Sequence, residues 1–105
     1  MTIRQFDVVA NPDADDARYR PYLVVLQSDL VSDLRSTVVA PLIARSELQG
    51  ARQLNPLVSV DGSECWIAIY ELFAIEQRML GPKIGSVAND RDAIVAALDF
   101  LFTGF

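Results

Sequence analysis

Few side chains in this sequence could do bond chemistry. Histidine is absent, which removes the group whose ordinary pKa suits proton transfer near neutrality and the commonest transition-metal ligand. The one thiol, Cys65, lies in the apolar stretch Glu64-Cys65-Trp66-Ile67 with no His or Lys beside it to lower its pKa. It reads as small hydrophobic filler. One Cys and no His do not make a zinc site, and Gly50, Gly62, Gly81, Gly85 and Gly104 are isolated turn glycines, not a phosphate loop. Nine basic and fourteen acidic residues leave a net charge of −5, with the basic ones scattered, so direct nucleic-acid binding is disfavoured. No catalytic residue, metal or cofactor is implied. The chemistry on offer is apolar contact. The run Ala93-Ile94-Val95-Ala96-Ala97-Leu98-Asp99-Phe100-Leu101-Phe102-Thr103-Gly104-Phe105 has helical spacing and closes on an aromatic residue. Chain ends are ordinarily polar and frayed, so three phenylalanines in the last six residues imply burial against this chain, a copy of it or a partner.

The elements that must carry this tip fit one domain, 1–105, since a chain of this length buries upwards of ~60% of the surface its unfolded form exposes. With 51% hydrophobic and 22% charged residues the composition is that of a globular chain, and no stretch approaches the ~20 apolar residues of a membrane span. The first nine residues alternate and lack the basic-then-apolar order of a secretory signal, so cytoplasmic residence is expected. Alternation predicts strands over 4–8 and 19–27, the second with its centre covered on both faces, joined by the polar turn 11–16. The β-branched stretch 37–43 predicts a third strand, with Pro41 at an edge or bulge because it cannot donate to a ladder. Asp61-Gly62 between 56–60 and 64–69 is the clearest hairpin, as Asp-Gly tolerates the positive φ of a tight turn. A further strand is expected over 72–75 with an irregular exit, then a turn at Gly81-Pro82 and a linker at 84–86. Asn89 or Asp90 should cap the final helix, helped by the carboxylates of Asp90 and Asp92 at its positive end. On it Ile94, Ala97, Leu98, Leu101 and Phe105 form one stripe and Val95, Asp99 and Phe102 its neighbour, so one flank packs while the other stays available. The fold class is mainly β, an antiparallel sheet with one C-terminal helix. Trp66 is expected in the core.

Several motifs in order resemble one family. Arg18-Tyr19-Arg20-Pro21-Tyr22-Leu23-Val24-Val25-Leu26-Gln27-Ser28-Asp29-Leu30, then Val38-Val39-Ala40-Pro41-Leu42, Asn55-Pro56-Leu57-Val58, Asp61-Gly62-Ser63-Glu64-Cys65-Trp66 and the ending Phe102-Thr103-Gly104-Phe105 resemble the CcdB toxins along essentially the whole chain. The resemblance implies the fold shared by CcdB and the MazF/Kid toxins, an SH3-like partial barrel with a small second sheet and a C-terminal helix. It also implies a homodimer that is not an enzyme. Such toxins lodge against the DNA gyrase A subunit and trap the cleaved gyrase–DNA complex, and a CcdA-like antitoxin neutralises them. Matched position by position, the gyrase contact falls on Leu30, Val31, Asp99, Phe102, Thr103, Gly104 and Phe105. The antitoxin contact falls on the acidic loop, here Asp13, Asp15, Asp16 and Arg18.

Two positions depart from the family pattern. Its terminal Trp-Gly-Ile is Thr103-Gly104-Phe105 here, and Asp99 replaces the usual asparagine. Loss of an aromatic anchor often costs ~2 kcal/mol or more of binding. Two other readings follow: a homologue with weakened poisoning that captures antitoxin as a decoy, or a MazF-like endoribonuclease drawing on Arg18, Arg20 and Asp29.

Overall fold

A computed structural model describes residues 3–48 and 54–104. Its organising element is the stretch Ser36–Ala44, the longest strand, whose β-branched Thr37, Val38, Val39 and Ile43 suit a pleated surface. In chain order the strands are β1 (Asp7–Ala10), β2 (Tyr22–Val25), β3 (Ser36–Ala44), β4 (Leu57–Val60), β5 (Ser63–Ile67), β6 (Phe73–Glu76) and β7 (Lys83–Ser86), followed by the helix α1 (Arg91–Thr103). All strand pairs are antiparallel, and the order across the curled half-barrel is β4-β5-β3-β2-β1-β7 with β6 also on β3. The smaller sheet expected beside the main one is continuous with it, because β5 bonds directly to β3.

One edge of β3 pairs with β2, while the other is shared: Ser36 to Val39 face β6, and Leu42 to Ala44 face β5. Pro41 sits where one partner ends and the next begins. Its carbonyl accepts from the Ala68 amide at 2.9 Å on that shared side, so its missing N–H points at the junction and costs no ladder bond. The expected edge or bulge is thus an interior, buried position. The two faces follow the period of two. Val8, Val24, Ala40, Leu42 and Ile67 line the face covered by Ile94 and Ala97 of the helix. Val9, Leu23, Val25 and Val39 line the other, under Ile3, Ile75 and Leu80. Both sides of β2 are therefore covered, as its continuous apolar run predicts. Trp66 is in the core, with its indole N–H donating to the Arg45 carbonyl at 3.3 Å.

The Asp61-Gly62 hairpin forms as expected, with φ of 51° and 81° at its two turn residues and Val60 opposite Ser63. Other expectations shift. The first strand starts at Asp7 because Phe6 has φ 69°, in a turn closed when the Arg4 amide donates to Asp7 Oδ2 at 2.8 Å. The second starts at Tyr22, and the residues before it form a single 3-10 turn, Asp16–Arg18, so Arg18 and Arg20 do not alternate on a strand. The supposed linker at 84–86 belongs to β7, which adds to the free edge of β1.

The helix is entered through another 3-10 turn, Ala88–Asp90, and neither Asn89 nor Asp90 makes the expected side-chain cap; Ser86 Oγ instead accepts from the Ala88 amide at 3.2 Å. Ile94 and Ala97 are its buried residues, and it rests on the turn Ile69–Glu71. Gly104, at φ 79°, ends it by donating its amide to the Phe100 carbonyl at 3.0 Å, a left-handed closure that favours glycine. No helix among the described residues is long and apolar enough to cross a membrane.

Candidate functional site

The helix end leaves an apolar ridge. Ile94 and Ala97 are fully buried and Leu98 packs against the same core, whereas Phe102 is 69% exposed and Leu101 stands at the margin of exposure. Asp99, Thr103 and Gly104 are exposed beside Phe102. The Thr103 hydroxyl donates back to the Asp99 carbonyl at 2.7 Å, which occupies it within the helix. Of the expected tip residues only Phe105 lies outside the described residues. The helix therefore divides along its length: its root is core, while Leu101 of the stripe expected to pack is exposed together with Phe102.

A second apolar element leaves β2. The loop 26–35 carries Leu30, 94% exposed, with Val31 and Leu34 also exposed. A large aliphatic side chain held this far out has no packing role in the protein. The loop itself is firmly closed. Ser28 Oγ accepts from the Leu30 amide at 3.1 Å, and Asp29 Oδ1 accepts from the Gln5 amide at 2.8 Å while the carboxylate pairs with Arg4 at 3.4 Å. Leu30 and Val31 are neighbours on one turn, Asp29–Val31, while Asp99, Phe102, Thr103 and Gly104 gather on the last turns of α1. The two groups have different supports: the loop rests on Arg4 and Gln5, the helix on Ile69–Glu71.

The acidic loop is held by polar contacts. Asp13 Oδ1 accepts from the amides of Asp15 and Asp16 at 3.1 and 3.2 Å, turning the chain into its 3-10 turn. Arg20 is gripped from two directions. Its Nε and Nη2 reach both carboxylate oxygens of Glu71 at 2.8 and 3.1 Å, and its Nη1 reaches Asp16 Oδ1 at 2.9 Å. Asn11 Nδ2 donates to Asp16 Oδ2 and to the Arg20 carbonyl, each at 2.9 Å. The Glu71 contact holds the Arg20 guanidinium pKa above its already high ordinary value. Tyr19 lies under this guanidinium, 5.0 Å from ring centre to Arg20 Cζ. Asp13, Asp15 and Arg18 remain exposed. Sequence reasoning missed Glu71 as the partner of Arg20, and no local signal could have supplied it, since the pair is separated by 51 positions.

Burial pushes the Cys65 thiol up, away from thiolate character. Of Arg18, Arg20 and Asp29, the last two are paired within the protein, Arg20 with Glu71 and Asp16 and Asp29 with Gln5 and Arg4, and Arg18 is exposed. Among the described residues no three His, Cys, Asp or Glu side chains gather as a metal site.

A curled antiparallel sheet bearing one C-terminal helix is the form of a small toxin of the CcdB/MazF fold. The CcdB family (CcdB protein) matches residues 5–104. The chain belongs to that family, whose members are toxins of toxin–antitoxin pairs. Among solved structures it is similar to the Mycobacterium tuberculosis toxin MazF-mt6, with a TM-score of 0.70 and 18% identity over 94% of this chain and 96% of that one. At that identity the likeness is one of fold. No curated protein sequence matches the chain significantly.

Proposed function

We propose that this protein is a non-enzymatic, cytoplasmic toxin that binds the DNA gyrase A subunit as a homodimer and traps the gyrase–DNA cleavage complex, and that a CcdA-like antitoxin neutralises it. The observation that carries the reading is the pair of exposed apolar elements, Leu30 and Val31 on one and Phe102 on the other, at positions for which the resemblance to CcdB toxins implies a partner contact. Mechanism follows from shape, not from bond making. Two copies related by a two-fold axis present two tips, matching the symmetry of a dimeric target. Full burial of one Phe102 ring is worth ~1.5–3 kcal/mol, so paired rings supply a substantial share of a docking energy. Asp99 and Thr103, in place of an amide and an indole, weaken that contact relative to the family pattern. The loop bearing Asp13, Asp15, Asp16 and Arg18 offers exposed charge to the antitoxin.

The test is growth of cells expressing the chain, whole or shortened by its last three residues, together with capture of purified gyrase A. Toxicity that depends on the tip supports the proposal; equal growth in both cases removes the tip from it. A harmless protein that still binds an antitoxin peptide tightly would be the decoy. The fold likeness to a MazF toxin keeps an endoribonuclease as the second reading. Against it stand the closed grip on Arg20 and the spent Asp29 carboxylate, and metal-independent cleavage of RNA by the purified protein would revive it.

A further inference from the structure

The exposed loop that leaves β2 owes its shape to a residue far along the chain. Gln77 lies just past β6, whose last residue, Glu76, pairs with Ser36 at the start of β3. Its backbone amide extends that ladder by donating to the Arg35 carbonyl at 2.9 Å, and its side chain then turns over the mouth of the loop. There Nε2 donates to two loop carbonyls, Ser32 at 2.7 Å and Leu34 at 2.6 Å. The loop contains a one-turn 3-10 element, in which Val31 and Ser32 donate their amides to the Ser28 and Asp29 carbonyls at 3.1 and 3.3 Å. From the other side Gln27 Nε2 donates to the Val31 carbonyl at 2.8 Å, while its Oε1 accepts from the Val38 amide at 3.2 Å. Three carbonyl acceptors of the outer loop, those of Val31, Ser32 and Leu34, are thus met by two glutamine amides. The orientation of the Gln77 amide is fixed by its surroundings, because an oxygen in place of Nε2 would face two carbonyl oxygens at hydrogen-bond distance.

We infer that Gln77 is a positioning residue: its amide straps the 28–35 loop into the conformation that presents Leu30 and Val31 to a partner. The identity of that partner as gyrase A rests on the reading above; the strap itself does not. Holding a contact loop in its bound shape before docking removes an ordering cost from association. The strap acts at the carbonyls and leaves every apolar side chain of the loop free, which suits a presenting device better than a core one.

The test uses the full chain with Gln77→Glu and Gln77→Ala, compared with unmodified protein and Phe102→Ala. Three quantities are measured: residue-resolved amide hydrogen exchange, thermal stability and affinity for purified gyrase A. Glutamate places a charged oxygen against the Ser32 and Leu34 carbonyls, so exchange at Leu30, Val31 and Ser32 should rise about tenfold or more while the β2 and β3 amides stay protected. Affinity should fall by about tenfold in step with loop exchange, with alanine showing the smaller effect. Phe102→Ala should lose affinity with loop exchange unchanged. Loop exchange in Gln77→Glu equal to that of unmodified protein overturns the strap, as does a loss of affinity that merely follows a fall in global stability. If unmodified protein does not bind gyrase A, the partner reading fails, and faster loop exchange in Gln77→Glu still supports the strap.

Discussion

The two loops that flank β2 close in the same way and end with opposite surfaces. The loop before it turns its polar groups on one another: Asp13 caps its own turn, Asn11 holds Asp16, and Arg20 is shared between Asp16 and Glu71. The loop after it satisfies its backbone with Gln27, Ser28 and Gln77 and sends Leu30, Val31 and Leu34 outward. What each loop leaves unpaired is what a partner can use. Before β2 the remainder is charge, on Asp15 and Arg18; after β2 it is apolar surface, as on the last turn of the helix. In this reading an acidic-loop contact is steered by electrostatics and a tip contact is driven by desolvation, and the two should respond differently to salt.

Substitutions separate these regions. The largest effect on stability is expected from Arg20→Ala, which leaves the half-buried carboxylates of Asp16 and Glu71 without their shared cation. Loss of those charge-assisted bonds should cost about 2–3 kcal/mol in urea or thermal unfolding, with gyrase A affinity of the remaining folded protein close to normal. A stability change under about 0.5 kcal/mol, the range of ordinary surface changes, would show that the grip on Arg20 is incidental. Phe102→Ala should behave in reverse. Its ring is exposed, so unfolding changes by less than about 0.5 kcal/mol, while affinity for gyrase A drops by about 2 kcal/mol, some thirtyfold. Thr103→Trp then sharpens the point, since an indole restored beside Phe102 should recover about tenfold in affinity. Leu30→Ala comes next, at about 1 kcal/mol of binding and almost nothing in stability, because leucine is a weaker anchor than an aromatic ring. Binding curves with gyrase A, run beside unfolding curves for the same variants, decide all three.

How much of this was legible in the sequence depends on whether the cause was local. The Asp61-Gly62 turn and the final helix were readable because turn chemistry and helical spacing act within a few residues. The strand β7 was not: Lys83-Ile84-Gly85-Ser86 has little strand propensity, and it is extended because β1 offers it an edge. Pro41 misled for the same reason, as its harmless place depends on where β6 stops and β5 starts on one side of β3. The exposed tip was half legible. Helical spacing separated Ile94 and Ala97 from Phe102, but no spacing signal singled out Leu30 and Val31, and only the family resemblance marked them. The strap by Gln77 reaches 45 positions back along the chain to Ser32, and glutamine carries no spacing signal of its own.

The smallest expected effect distinguishes the polar loop by pH. Tyr70 stands beside the Arg20 grip, 45% exposed. Its phenol is raised above the ordinary range, first by burial, then by the nearby Glu71 and Tyr19, with Arg20 pulling the other way. A phenol whose pKa is higher in the folded chain than in the unfolded one stabilises the fold while both are protonated, and loses that contribution as pH climbs from ~10 through the folded value. The neighbouring guanidinium stays charged throughout, because Glu71 has raised it further, so an alkaline loss in this window is not the grip dissolving. Cys65, also raised by burial, begins to act from about pH 8.5, but equally in a protein that lacks the Tyr70 hydroxyl. Thermal unfolding from pH 8 to 11.5 on unmodified protein and Tyr70→Phe therefore isolates the phenol: the two curves should run parallel to about pH 10 and then diverge, with unmodified protein falling faster. Parallel curves to the end would show that folding does not raise the Tyr70 phenol, and the comparison between the loops would then rest on Arg20 alone.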